Sequence, residues 1–305
     1  MPDSGRYSYS KVDCYNSCHF KFYLKYIENK YVDLNVIAVK VGTAIHDTEE
    51  LIANAIKNTL PINYVELKNK LLLKMVEFEH NFPKDYFEPD KAGRYYKDKL
   101  YGYLNEGIYR LEHFCKEHPE LEIVGAEIPF KLEICGKPFT GKIDRLFRNR
   151  NTGKYICQDI KTYPVEVDQK DLATPLQFVI YTKAIKEMYG VTNEDVQCQY
   201  DLPFCNITQD AGTAGFMDRG AKKIEKLFAG INNQEFEPNP SPLCFWCEYG
   251  MLNPNITNGA KNLCPYHSTW TKEKASFGHV EEWQGLENHQ TVLENYIKNT
   301  QKEAV

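Results

Sequence analysis

Asp159 and Lys161 stand two residues apart in the segment QDIKT, and Asp144 lies a short way upstream in GKIDRL. Side chains of an extended strand alternate between faces, so residues 159 and 161 present a carboxylate and an ammonium together. Two carboxylates on neighbouring strands beside a cation suit phosphodiester hydrolysis. They offer hard oxygen ligands for Mg2+ or Mn2+, with a positive charge beside the attacking water or the transition-state phosphate. A bare D-x-K is more often a surface salt bridge, so its company has to decide. Gln177 and Tyr181 follow at i and i+4 on one face of an expected helix, and His46 sits near the start of an earlier one. Each alone has a bland reading: packing for Gln177 and Tyr181, and a cap, a packed ring or a ligand for His46.

A second chemistry is written in the ten cysteines. Cys115, Cys135, Cys157, Cys198 and Cys205 fall in strand-like or amphipathic stretches and read as small buried hydrophobes. The tail differs. Cys244-Phe-Trp-Cys247 is flanked by Pro238, Pro240 and Pro242 and followed by Cys264-Pro265. A C-x2-C turn brings two sulfurs onto one metal from a single bend, and Cys264 adds a third. Cys18, Cys14 and His267 are the candidates for the fourth ligand.

The elements that must position these groups follow from periodicity. Residues 8 to 27 mix aromatics and lysines at helical spacing. Helices are expected over 41 to 56, 64 to 80 and 92 to 117, the last with Tyr96, Leu100, Leu104, Leu111 and Phe114 on one stripe. Near residue 120 the pattern shortens. Strands around EIVGAEIPFKLEI, FTGKIDRLFRN and KYICQDIKT form an antiparallel meander, then come a helix from 175 to 190 ending at Gly190 and a strand at VQCQYDLPF. A helix at 215 to 231 and a polar one at 285 to 300, with Leu286, Leu293 and Ile297 on a stripe, complete the chain. The expected organisation is a helical region over 1–118, an αβββαβ core over 119–205, and a C-terminal helix, cysteine segment and tail over 206–305.

The 305 residues carry 37 basic and 42 acidic side chains, a net charge of -5. That excludes a surface wholly devoted to nucleic acid and confines any such site to a local groove. Lys142, Arg145, Lys21, Lys25 and Trp246 are candidates to line it, each weighed against a place on a solvated surface. No apolar run is long enough for a bilayer and the first residues lack a signal-peptide pattern, so no membrane partner and a cytoplasmic location are expected.

In order, Gly42-Thr-Ala-Ile-His46, Asp144, Asp159-Ile-Lys161-Thr and Gln177-x-x-x-Tyr181 resemble the PD-(D/E)XK nuclease superfamily in its RecB-like branch. The opening, Ser8-x-Ser10 with Tyr15 and Cys18, is similar to that of its iron-sulfur members, which include CRISPR-associated adaptation exonucleases and their phage relatives. The resemblance implies a restriction-endonuclease-like α/β fold with a mixed sheet, an N-terminal helical region and a C-terminal cysteine-ligated cluster segment. It implies that His46, Asp144, Asp159 and the carbonyl of Ile160 ligate Mg2+ or Mn2+, that Lys161 activates water, and that Gln177 and Tyr181 position the scissile strand. Glu127 would support that metal or hold a second one. Cys18, Cys244, Cys247 and Cys264 would hold a [4Fe-4S] cluster, with Zn2+ as the alternative. The implied activity is DNA exonuclease action on single strands or ends, in recombination, repair or phage- and CRISPR-related processing. Partner proteins of those pathways, a homo-oligomer and a catalytically silent nucleic-acid-binding role stay open.

Overall fold

The computed structural model describes residues 5–30, 32, 36–87, 95–163, 165–241, 244, 247–250, 263–264, 266–270 and 275–279. Asp85 and the strands within 266–279 are described by backbone alone. The expected helix at 285–300 and Trp246 lie outside the described residues. The chain divides into two compact units, residues 1–35 with 223–305 and residues 36–222. Among the described residues no helix is long and apolar enough to cross a membrane.

The first unit begins with α1 (Tyr9–Ser17), capped by the Ser8 side chain, which accepts a hydrogen bond from the Lys11 N–H. At Cys18 the backbone turns extended, with φ -161° and ψ 119°, before α2 (His19–Phe22) and a π turn over Tyr23–Ile27. The aromatics expected on helical faces are buried here. Tyr7 meets Phe228 edge-on at 4.8 Å, and Tyr15 meets Phe22 at 5.3 Å while its hydroxyl donates to the Glu235 carbonyl at 2.8 Å.

The second unit opens with α3 (Ile37–Lys57) and α4 (Tyr64–Asn81). Their apolar stripes, including Val41, Ile45, Ile52, Leu67, Leu71 and Met75, build one core with Leu100, Tyr103 and Leu104. After a short α5 (Pro83–Phe87), the single helix expected over 92–117 is interrupted. It runs as α6 (Tyr96–Asn105), a 3-10 turn at Gly107–Tyr109, and α7 (Arg110–Glu117). A Cβ on Gly107 would lie 2.6 Å from the Tyr103 ring and 3.1 Å from the carbonyl oxygen of the distant Pro203, so the chain bends where only glycine fits.

The sheet follows as β1 (Leu121–Ile134), β2 (Lys137–Asn149) and β3 (Tyr155–Ile160), an antiparallel meander. Its first turn, Cys135-Gly136, has positive φ at both residues, 52° and 70°. This corrects one expectation: Cys135 is exposed on the turn, and Cys115 and Cys205 are partly exposed, leaving only Cys157 and Cys198 of the five as core thiols. A crossover through α8 (Gln169–Ala173) and α9 (Leu176–Tyr189) then brings β4 (Val196–Leu202) parallel to β3. Gly190 ends α9 in the left-handed region. An unforeseen polar strand, β5 (Ile207–Ala211), closes the edge antiparallel to β4, giving the order β1-β2-β3-β4-β5. Next, α10 (Phe216–Asn232) leads out of this unit, and a hairpin of β6 (Tyr266–Trp270) and β7 (Ala275–His279), also unforeseen, lies in the first unit.

Candidate active site

β2 and β3 carry Asp144 and Asp159 on the sheet face covered by α9. Asp144 is held by its neighbour strand, because the Ile160 N–H donates to Asp144 Oδ2 at 2.8 Å. Lys161, just past the end of β3, places its ammonium 2.7 Å from Asp159 Oδ2 and donates to Gln177 Oε1 at 3.0 Å. Gln177 Nε2 in turn donates to the Tyr181 hydroxyl at 2.8 Å, so the i, i+4 pair on α9 acts as one fixed chain running from the lysine. The Tyr181 hydroxyl keeps its own proton for another acceptor.

His46 arrives from α3, where Nε2–H donates to the Ile160 carbonyl at 3.0 Å. Its Nδ1 lies 3.6 Å from Glu127 Oε1 and 3.9 Å from Asp144 Oδ2. Ligand atoms of His46, Glu127 and Asp144 all fall within 4.8 Å of one another. Glu127 stands across from Asp144, between the paired residues Ala126 and Ile128, and reaches inward from a left-handed backbone with φ 49°. Positive φ at a non-glycine residue is strained, and this one lies just past a register shift between Ile123 and Gly125.

Charge follows geometry. Burial, and after it the nearby Asp159, pushes the Asp144 carboxyl up to about 7. Burial works against charge on His46, but Glu127, Asp144 and Asp159 outweigh it and raise the imidazole above its usual value. Lys161 is likewise held above the usual lysine range, by Asp159 against burial, so it is a firm ammonium. The donor set suits a divalent cation. Asp159 is fully buried and its Oδ1 has no hydrogen-bond partner, a cost that a bound cation removes.

Between the ordinary carboxylate range and about 7 the folded metal-free chain holds a proton on Asp144 that the unfolded chain has released, so that stability is lost as pH rises through 7. The raised His46 acts in the same direction, its contribution disappearing as pH rises through its folded value. A divalent cation replaces these protons. Melting curves should therefore show a larger stabilisation by Mn2+ at pH 8 than at pH 5.5, and Asp144→Asn should flatten the difference. An equal Mn2+ effect at both pH values would contradict this assignment.

The expected groove lining is only partly found. Lys142 is 62% exposed and pairs with Glu127 at 3.3 Å. Arg145 is not a groove residue: it is 2% exposed and turned to the opposite sheet face by strand alternation. Lys21 and Lys25 belong to the other unit, where they pair with the buried Glu248 at 2.7 and 3.6 Å. Tyr163, half exposed and two residues beyond Lys161, went unnoticed in the sequence, where nothing distinguishes it from the other tyrosines.

In the first unit Cys18, Cys244, Cys247 and Cys264 line one cavity of about 180 Å³ together with Phe20 and Leu24. The Ser241 N–H points at Cys244 Sγ at 3.4 Å, the Cys247 N–H donates to the Cys244 carbonyl at 3.2 Å, and the Cys264 N–H to the Tyr249 carbonyl at 3.0 Å. Among the described residues no three cysteine sulfurs lie within 4.8 Å of one another. Four thiolates on a single zinc, at Zn–S of about 2.3 Å, would stand about 3.8 Å apart. Cys14 is buried one helical turn before Cys18 and does not line the cavity, and the His267 side chain lies outside the described residues.

A mixed sheet whose meander and crossover helix gather carboxylates, a lysine and a Gln-Tyr pair is a restriction-endonuclease-like α/β fold. The chain belongs to the PD-(D/E)XK nuclease superfamily, whose family model matches residues 6–252, and is therefore a nuclease of a family that works with divalent metals. No curated protein sequence matches it. Among solved structures it is similar to a candidate exonuclease from Eubacterium rectale, 12% identical, covering 80% of this chain and 88% of that one with a TM-score of 0.43. It is also similar to the protein SSO0001, 16% identical, covering 60% and 82% with a TM-score of 0.28.

Proposed function

We propose that this chain is a metal-dependent DNA exonuclease, hydrolysing phosphodiester bonds of single strands or DNA ends in recombination, repair or phage- and CRISPR-related processing. The observation that carries the reading is the grouping of His46, Glu127 and Asp144 ligand atoms, with the buried Asp159 beside an ammonium already anchored to Gln177. His46, Asp144, Asp159 and the Ile160 carbonyl hold the divalent cation, and Glu127 supports it from the strained β1 position. When bound, the cation supplies a positive charge at the phosphate and lowers the pKa of an attacking water. Its one imidazole donor among oxygens favours Mn2+ alongside Mg2+.

Lys161, charged and fixed by two partners, directs its remaining N–H toward the water or a non-bridging phosphate oxygen. Because it is a firm ammonium, it orients rather than accepts a proton. Gln177 locks the direction of the Tyr181 hydroxyl, which donates to the scissile strand. Lys142 and Tyr163 flank this group with a charge and an exposed ring, a pairing suited to a frayed end or single strand, and the net charge of -5 fits poorly with tight duplex binding.

The four cysteines are proposed to hold a [4Fe-4S] cluster. All four line one cavity, which supports a shared metal group. Protein purified without air should be brown and contain iron and sulfide; a colourless protein containing zinc would reverse this choice. For the activity, end-labelled linear single- and double-stranded DNA and closed circular DNA should be incubated with Mn2+. Linear DNA is expected to be degraded from its ends, circular DNA spared, and all cleavage lost with a chelator. Equal attack on circles would make the protein an endonuclease, and no cleavage of any substrate would make it a nucleic-acid-binding protein.

A further inference from the structure

Behind the sheet, on the face away from α9, lies a buried ion cluster that the reaction does not use. Arg145 is its centre, donating to Glu49 Oε2 at 2.5 Å, Asp201 Oδ2 at 2.9 Å and Gln158 Oε1 at 3.0 Å. Tyr103 donates its hydroxyl to the other Glu49 oxygen at 2.7 Å, and Arg110 pairs with Asp201 and donates to Thr208. Two arginines and two carboxylates balance in charge. Such a cluster is a weak source of stability, because apolar side chains of the same size do as well without the desolvation cost. Its value must lie in direction and distance.

Its members stand beside the proposed metal ligands. Glu49 is one turn beyond His46 on α3, and Arg145 follows Asp144 on β2. Gln158 precedes Asp159, while Asp201 is the ladder partner of Ile160 and accepts the Lys161 N–H at 2.8 Å through its carbonyl. β2, β3 and β4 are already registered by backbone hydrogen bonds, but among the described residues no backbone hydrogen bond joins α3 to the sheet. Apolar packing alone lets a helix slide by a fraction of an ångström, whereas the Glu49–Arg145 pair does not.

We infer that Arg145 and Glu49 are positioning residues. They fix α3 against β2 and thereby set where His46 stands relative to Asp144 and the Ile160 carbonyl. The inference rests on the metal reading above. A positional error of this kind weakens ligation without unfolding the chain.

The test measures Mn2+ affinity by calorimetry on metal-free protein, alongside melting temperature and cleavage. The double variant E49Q/R145M leaves Asp201 paired with Arg110 and removes one charge of each sign. It is expected to fold and to bind Mn2+ at least tenfold more weakly. A core control, Leu104→Ala, should lower the melting temperature and leave Mn2+ affinity unchanged. Tyr103→Phe removes only the hydroxyl on Glu49; a severalfold loss of affinity is expected, and it decides the matter if the double variant does not fold. Wild-type affinity in either folded variant, E49Q/R145M or Tyr103→Phe, overturns the positioning role alone. A wild-type protein that binds no Mn2+ overturns the metal reading and this inference with it.

Discussion

Lys161→Ala is expected to lower the cleavage rate by about a thousandfold, the scale of removing one well-placed electrostatic donor, while the chain folds and still binds Mn2+. The Nζ atom lies between Asp159 Oδ2 at 2.7 Å and Gln177 Oε1 at 3.0 Å. Its loss therefore removes the charge facing the phosphate and frees the Gln177 amide that orients Tyr181. Lys161→Arg should fail nearly as badly, because a planar guanidinium cannot take the place of a compact ammonium between those two oxygens. Without Lys161 the buried Asp144 and Asp159 face each other with less compensation, so the metal-free variant should melt lower than wild type and recover more on adding Mn2+. Single-turnover cleavage and melting curves read both effects. Cleavage within threefold of wild type would remove Lys161 from the chemistry.

The second large effect concerns the cysteine cavity. Cys18 and Cys244 are more than two hundred residues apart in sequence, so a metal group held by both closes most of the chain into one loop. Treated as a covalent crosslink, closure over that span stabilises by about 5 kcal/mol as an upper bound. Cys247→Ala should therefore purify without colour and lose a low-temperature melting transition belonging to the unit made of residues 1–35 and 223–305. The Mn2+-dependent shift of the other unit, which contains every proposed catalytic ligand, should survive. A colourless variant with wild-type melting and cleavage would show that the cysteines hold nothing of structural weight.

The legible parts of this chain were those where a short-range rule applies. Alternation places Asp159 and Lys161 together, the i, i+4 rule brings Gln177 beneath Tyr181, and Gly190 marks the end of α9. What escaped depends on distant partners. Gly107 breaks a helix because of the Tyr103 ring and the Pro203 carbonyl, and β5 forms because β4 offers an open edge to a polar stretch with no apolar alternation of its own. Arg145 reads as a basic surface residue until its neighbours are seen. One signal for the buried cluster was available: Glu49 lies on the apolar face of α3, level with Ile45 and Ile52, where an unpaired carboxylate would be costly.

The division of the chain sets an order of events during synthesis. Residues 36–222 are continuous, so the nuclease unit has all of its own sequence as soon as that stretch has left the ribosome. The unit holding the cysteine cavity is assembled from both ends of the chain. Cys18 is made early, and the cavity it lines is complete only once Cys244, Cys247 and Cys264 have been translated. If the four cysteines hold the proposed cluster, it can be loaded only after residue 264 has been made, and a chain truncated before residue 244 would carry every proposed catalytic side chain without that site.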